Sequence, residues 1–344
     1  DYIVFSNYGA ILIDLGKLQE AEISIRKAIA LKPNLAESHY NLGLILKDLG
    51  KLKEAEISTR KAIALKPNFA DAHCNLGIIL KALGKIQEAE MFIKKAIDIE
   101  PSYESYFAYA SCLFKNNQFN SCIENLEKAK ELVEQKNLHI ITEISLKITK
   151  SNQMELDKSI NDPKGKSFSK RKIDRLILNR EVEDELLSYL FTIKTNKLEE
   201  SKDSRYGPGV CSDFFLFGDT SPIISKLSND IETICKKELG LKEIFIFDSF
   251  LNIFISGSGQ PPHSHLTIRD IDFNLSLRKY SLVYYLDVGD QGGEDPGILK
   301  LHDPEENILP TKGMIVIIGA NRSHSVVYKG NKKRVMIGVN FYGL

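Results

Sequence analysis

The sequence predicts a multidomain α plus β protein: an N-terminal α-solenoid of helical hairpins, then a C-terminal double-stranded β-helix, or jelly roll, with buttressing helices. Three observations predict it. Residues 7–34, 41–68 and 75–102 superimpose at a constant offset of 34. That register stops in a polar, basic stretch after residue 150. From about residue 244, short β-rich apolar runs separated by turn residues replace the helical periodicity. A length of 344 residues accommodates two cores.

A 34-residue period is the signature of stacked helical hairpins. Gly9, Gly43 and Gly77 recur where two helices must approach closely, and Ala21, Ala55 and Ala89 supply small residues at the crossing. Pro33, Pro67 and Pro101 end each second helix, because proline cannot continue one. On these positions residues 2–103 resemble the tetratricopeptide repeat (TPR) family. Three clear units span 2–35, 36–69 and 70–103, and a degenerate one spans 104–137 with Asn116 and Asn117 near the glycine turn. The resemblance implies a concave groove that binds a protein or peptide, lined by Asn7, Tyr8, His39, Asn41, His73 and Asn75.

Residues 138–172 read as a connecting helix and linker, polar and basic from Lys150 onward. The "GKS" at 165–167 lacks both the upstream glycine and the entering strand of a phosphate loop, and is rejected. Helical periodicity over 178–195 and 221–239, the second opened by Ser221 and Pro222, predicts two buttressing helices for a domain spanning 173–344. The β core is expected over about 244–344, in the runs "IFIFDSFLNIFIS", "SLVYYLDV", "GILKLHD", "GMIVIIGA" and "RVMIGVNFY".

Four of the seven histidines, His263, His265, His302 and His324, fall in this β region. On a strand, residues i and i+2 point to one face, so His263 and His265 can aim two imidazoles at one point. His324 follows a late apolar strand that a barrel returns beside the early one, making it the candidate third ligand. Arg334 opens an otherwise apolar strand, and a buried arginine requires an anion. His302 reads as an ordinary strand residue.

With Gly259, the strand "LVYYLD", "LPTKGMIVI", His324 and Arg334, residues 206–344 resemble the iron(II)- and 2-oxoglutarate-dependent oxygenases. In that family a His-x-Asp or His-x-Glu pair and a distal histidine form a facial triad on iron. The resemblance implies iron(II) on His263, His265 and His324, with O2 and the co-substrate 2-oxoglutarate at the open positions. It also implies that Arg334 clamps the far carboxylate of 2-oxoglutarate, aided by Tyr285 as in prolyl-hydroxylase-like members. The expected function is a dioxygenase hydroxylating a substrate C–H bond, on a peptide or protein recruited by the repeats. Prolyl hydroxylation is the commonest precedent.

Three departures bear on that expectation. His265 stands where the triad has an acid, so the site is either a three-histidine centre or one completed by Asp270 or Asp272 from the polar segment that follows. Met336 replaces the hydroxyl residue two places after the arginine. The spacing Gly257, His263, His265 also begins a cupin motif, whose glutamate position holds Asp270 and whose glycine position holds Leu277. A cupin-like metal-binding protein and a non-catalytic TPR scaffold for protein–protein interaction are therefore the alternatives.

Composition narrows the partners. Forty-six basic and 46 acidic side chains cancel, removing the electrostatic case for nucleic acid or anionic membrane. No apolar run approaches the roughly 20 residues of a membrane span. Five widely spaced cysteines suggest neither a zinc knuckle nor a disulfide framework, so a reducing, cytoplasmic setting is the default expectation. The chain opens on Asp1 inside a repeat, so sequence upstream of it is expected.

Overall fold

A computed structural model describes residues 1–161, 175–198, 208–266, 268–292 and 295–344. Two compact units emerge, Asp1–Gly165 and Lys166–Leu344.

The first unit is built of antiparallel helix pairs: α1 (Tyr2–Asp14) with α2 (Leu18–Leu31), α3 (Ala36–Asp48) with α4 (Leu52–Leu65), α5 (Ala70–Ala82) with α6 (Ile86–Ile99), and α7 (Tyr103–Lys115) with α8 (Phe119–Leu132). Gly16, Gly50 and Gly84 follow the first helices with φ of 71°, 74° and 78°, a left-handed turn that glycine adopts without penalty. In the fourth pair Asn117 takes that conformation at φ 58°. Asparagine is the side chain that best tolerates it, which explains how the degenerate unit keeps its turn.

Within each pair, Gly43 and Gly77 lie so close to the second helix that a Cβ would collide with Thr59 and Ile93. Ala21, Ala55 and Ala89 are fully buried. Successive pairs are also laced by ion pairs at the repeat period. Lys51 meets Glu22 at 2.9 Å and Arg26 meets Glu54 at 3.0 Å; Lys85 repeats the first at Glu56 and Arg60 repeats the second at Glu88. Exposed pairs contribute at most about 1 kcal/mol each, so they set register more than stability.

The residues expected to line the groove are partly committed to structure. His39 Nε2 lies 2.9 Å from the Pro33 carbonyl and His73 Nε2 2.8 Å from that of Pro67, each fastening a first helix to the turn before it. Asn75 is buried, with its amide 3.5 Å from the Thr59 hydroxyl. Tyr8 is exposed.

The long helix α9 (Lys136–Asn161) packs on α8 and buries Ile141, Ile144 and Ile148. Thr142 also donates to the Tyr103 hydroxyl, tying α9 to the start of α7. The polar tract that reads as linker from Lys150 is thus helical as far as Asn161. Its remainder, including 165–167, lies outside the described residues.

The second unit is strand-rich. In chain order it runs β1 (Arg175–Asn179), α10 (Asp184–Leu190), β2 (Asn196–Lys197), β3 (Gly209–Cys211), α11 (Pro222–Leu239), β4 (Ile244–Phe254), β5 (Ser258–His263), α12 (Ile268–Ile271), β6 (Lys279–Asp287), β7 (Pro296–Leu301), β8 (Glu306–Ile308), β9 (Met314–Gly319), β10 (His324–Tyr328) and β11 (Arg334–Gly343). A seven-stranded sheet has the order β1-β9-β6-β11-β4-β3-β2, and a four-stranded sheet the order β5-β10-β7-β8. Every pairing within the two sheets is antiparallel.

Side-chain alternation assigns the two faces of the larger sheet. Val335, Ile337, Val339 and Phe341 of β11 join Leu282, Tyr284 and Leu286 of β6 in packing against Leu186 and Leu190 of α10 and Ile224, Leu227 and Ile231 of α11. The opposite faces of β6 and β11 carry Tyr285 and Met336, which cluster with Leu299, Leu301, Val326 and Tyr328 of the smaller sheet. That second cluster is the space between the sheets.

One helix expectation is corrected. Residues 175–179 form a strand, and only Asp184–Leu190 is α-helical. Leu176 and Leu178 face one cluster while Ile177 faces the other, a period of two that a helix cannot satisfy.

Arg180 ties this edge together, donating to Glu183 at 2.8 and 2.9 Å, to Asp230 at 2.7 Å and to the Tyr284 hydroxyl at 3.1 Å. Desolvation raises the Glu183 pKa, but hydrogen bonds from Arg180 and Lys226 outweigh it and hold the carboxyl at about 2, against an ordinary 4.5. A depressed folded pKa stabilises fully above the unfolded value, and that stability fades as pH falls through the folded one. Urea unfolding should therefore find Glu183→Gln less stable than wild type above pH 4.5. The gap should close as pH falls toward 2; a gap independent of pH would refute the assignment.

Candidate metal centre

Strand pairing brings the first and distal histidines together. β5 ends at His263, which lies directly opposite His324, the first residue of β10. The strands approach closely because Gly259 has no Cβ; one there would collide with the Val326 carbonyl. The ring centroids of His263 and His324 are 4.4 Å apart.

His265 joins them from outside any strand, so the expectation that the His263 and His265 pair shares a strand face is corrected. Its backbone N–H instead donates to the Ala320 carbonyl at 2.9 Å, an anchor at the end of β9. The imidazole then sits 5.1 Å from that of His263 and 5.0 Å from that of His324, centroid to centroid. One ligand nitrogen from each of the three lies within 4.8 Å of the others. This is the only such group of potential metal ligands among the described residues.

Hydrogen bonds assign the tautomers. His263 Nδ1 is 2.9 Å from the Pro261 carbonyl and His324 Nδ1 is 3.3 Å from the Arg322 carbonyl. A carbonyl only accepts, so each Nδ1 carries the proton and each Nε2 presents a lone pair. His263 Nε2 is buried without a partner. His265 Nε2 lies 3.3 Å from His324 Nε2.

Burial, reinforced by its histidine neighbours, drops the His265 pKa to about 3. Burial and His263 drop that of His324 to about 4. Both rings are held in the neutral form that ligates metal. Three convergent imidazole nitrogens, one buried and unpaired, fit a divalent first-row transition ion.

No carboxylate completes the cluster among the described residues. Asp270 is fully buried elsewhere, accepting from Lys279 at 2.9 Å and from the Tyr342 hydroxyl at 2.6 Å. Asp272 is likewise outside the cluster. His302 bonds Ser325 at 2.9 Å and is not part of it.

Arg334, the first residue of β11, is fully buried on the inward side. Among the described residues its guanidinium donates to main-chain carbonyls alone: Gly297 and Pro296 at 2.6 Å each and Val288 at 3.3 Å. It lies over the Tyr328 ring at 4.5 Å and near the Tyr285 ring at 6.0 Å. Gly297 makes room for it; a Cβ there would strike the guanidinium. Among the described residues no carboxylate pairs with it, and desolvation pulls its pKa down.

Tyr285 is buried beside Arg334, and its hydroxyl makes no hydrogen bond to a described residue. Burial raises its pKa to about 12, with Arg334 opposing. His324, Val326 and Tyr328 share the inward face of β10, so the histidine cluster and the arginine lie roughly 13 Å apart along one strand. Met336 is the next inward residue of β11 and belongs to the apolar lining.

Two parts of this environment escaped the sequence reading. Tyr328 is signalled only by its spacing from His324. Gly297, in "DPGILKL", is signalled only by being a glycine at a strand start.

Comparison with known proteins bears on the N-terminal unit. The family described as tetratricopeptide repeat matches residues 36–69 and 70–103, and again 103–135, and the family described as TPR repeat matches 9–50. The N-terminal unit is therefore a TPR array. MamA is 24% identical, with 38% of this chain and 77% of MamA covered at a TM-score of 0.36. YrrB, described as a TPR protein with an unusual peptide-binding site, is 22% identical over 48% of this chain and 88% of its own, at 0.36. The first TPR of Spaghetti (RPAP3), bound to an HSP90 peptide, is 22% identical over 33% of this chain and 92% of its own, at 0.33. No curated protein matches the chain. No helix among the described residues is long and apolar enough to cross a membrane, and all five cysteines are free and buried.

Isothermal titration with Zn(II) should give one site per chain. His263→Ala and His324→Ala should each weaken it by more than about 100-fold, whereas Arg334→Met should leave it intact. Equal affinity in all four proteins would remove the metal centre.

Proposed function

We infer that the C-terminal unit is an iron(II)- and 2-oxoglutarate-dependent dioxygenase that hydroxylates a C–H bond, on a peptide or protein held by the TPR array. The observation that carries this reading is Arg334, a buried cation that has no carboxylate partner among the described residues and faces the same interior as the three-histidine cluster. A buried arginine satisfied only by carbonyl dipoles keeps an uncompensated charge, and an anionic co-substrate supplies what is missing.

His263, His265 and His324 would hold the iron. Bound there, iron would couple the oxidation of 2-oxoglutarate by O2, giving succinate and CO2, to insertion of the second oxygen atom into a substrate C–H bond.

The chain's own groups account for binding and shielding. Two of the five guanidinium N–H groups of Arg334 remain for a carboxylate once three serve the carbonyls of Val288, Pro296 and Gly297. The Tyr285 hydroxyl, which makes no hydrogen bond to a described residue, can donate to the same carboxylate. Tyr328 is fixed by the Lys332 carbonyl and the Asp290 N–H, and so holds the guanidinium plane against its ring. Leu299, Leu301, Val316, Ile318, Val326 and Met336 exclude water from the space between.

The repeat array supports recruitment of a protein or peptide, the usual role of such repeats. It equally supports the second reading, a TPR interaction scaffold whose C-terminal unit binds metal without turnover. The lack of a carboxylate in the cluster among the described residues favours that alternative, and Arg334 favours the enzyme.

Anaerobic addition of iron(II) and then 2-oxoglutarate should produce a weak visible charge-transfer band in wild type. Arg334→Met should retain iron but require at least about tenfold more 2-oxoglutarate. Admission of O2 should yield succinate. Absence of both the band and succinate from the iron-loaded protein would leave the scaffold reading.

A further inference from the structure

The third ligand needs its own support. His263 and His324 are held by paired strands, but His265 and residues 268–278 beyond it lie outside strand pairing. That segment includes left-handed Phe273 and Asn274, at φ 56° and 58°, and exposes Ile271 and Leu277. Nothing in its secondary structure fixes where the His265 imidazole points.

Two contacts at its base do. The His265 N–H donates to the Ala320 carbonyl, and the Ala320 N–H donates to the Lys279 carbonyl, both at 2.9 Å. From the other side, Asp270 turns its carboxylate inward to the Lys279 ammonium and the Tyr342 hydroxyl, all three side chains being buried. Lys279 and Tyr342 are direct partners across β6 and β11. His265 and Asp270 are thus both tied to one place in the sheet, at Lys279.

A buried ion pair is an uneconomical way to stabilise a fold, because desolvating both charges offsets most of their attraction. What such a pair does supply is a unique geometry. We propose that Asp270, held by Lys279 and Tyr342, is a positioning residue that orients His265 toward the metal site. This rests on the three-histidine reading but assigns a role to residues outside it. The rival account is that buried Phe273 and Leu275 anchor the segment and the ion pair merely packs.

Co(II) distinguishes the two, since its visible spectrum reports ligand number and its titration reports affinity. Wild type should bind one Co(II), and Asp270→Asn should bind it about tenfold more weakly with an altered spectrum, while far-UV circular dichroism stays native. In a His265→Ala background Asp270→Asn should have no further effect on Co(II) affinity, because the ligand it positions is gone. If Asp270→Asn does not fold, Tyr342→Phe, which removes one hydrogen bond, carries the same test with a loss of a few-fold on the order of one hydrogen bond. The proposal is overturned if the folded variant binds as wild type does, or if the loss is undiminished in the His265→Ala background. Failure of wild type itself to bind Co(II) overturns the metal centre, and this role with it.

Discussion

The antiparallel pairing of β5 with β10 is the constraint on which the candidate site depends. It sets His263 opposite His324 at the ends of two strands whose sequences are far apart. It also places Tyr328 at the opposite end of the same β10 face, beneath Arg334. A shift of one residue in that register would turn His324, Val326 and Tyr328 to the other side together, because strand side chains alternate. Gly259, with no Cβ to obstruct the approach, permits the register.

The interior between the two sheets is electrostatically divided. At one end three imidazoles converge, and at the other a guanidinium is enclosed by aromatic rings and carbonyl oxygens. Nearby, Lys279 and Asp270 form a buried charge pair. An interior that retains an unpaired cation and an orphaned imidazole nitrogen is less stable than one filled with apolar side chains, and functional sites are where folds carry that penalty.

Much of this was legible in the sequence for identifiable reasons. The repeats were legible because identical helix pairs need identical glycine, alanine and proline positions. Strands β4, β6, β7, β9 and β11 were legible because each is long or continuously apolar. β5 was not, since "SGQPPH" contains two prolines and a glycine and carries no alternation; its pairing comes from β10. β1 was masked by leucines that also fit a helical period. The candidate cluster of His263, His265 and His324 was legible from histidine clustering, but that Asp270 stands apart from it is set by Lys279 and Tyr342, which lie in sequence beyond the segment and announce nothing by spacing.

The two units have separate claims on function: a TPR array, a kind of repeat that typically binds peptides or proteins, and a sheet pair that gathers three histidines. The central claim is that the gathering makes a three-imidazole metal centre. X-ray absorption at the iron edge of the anaerobic iron(II)-loaded protein tests it most directly. The account predicts multiple-scattering features of three imidazoles in wild type and of two in His265→Ala. Imidazole scattering unchanged by His265→Ala, or absent from wild type, would contradict it.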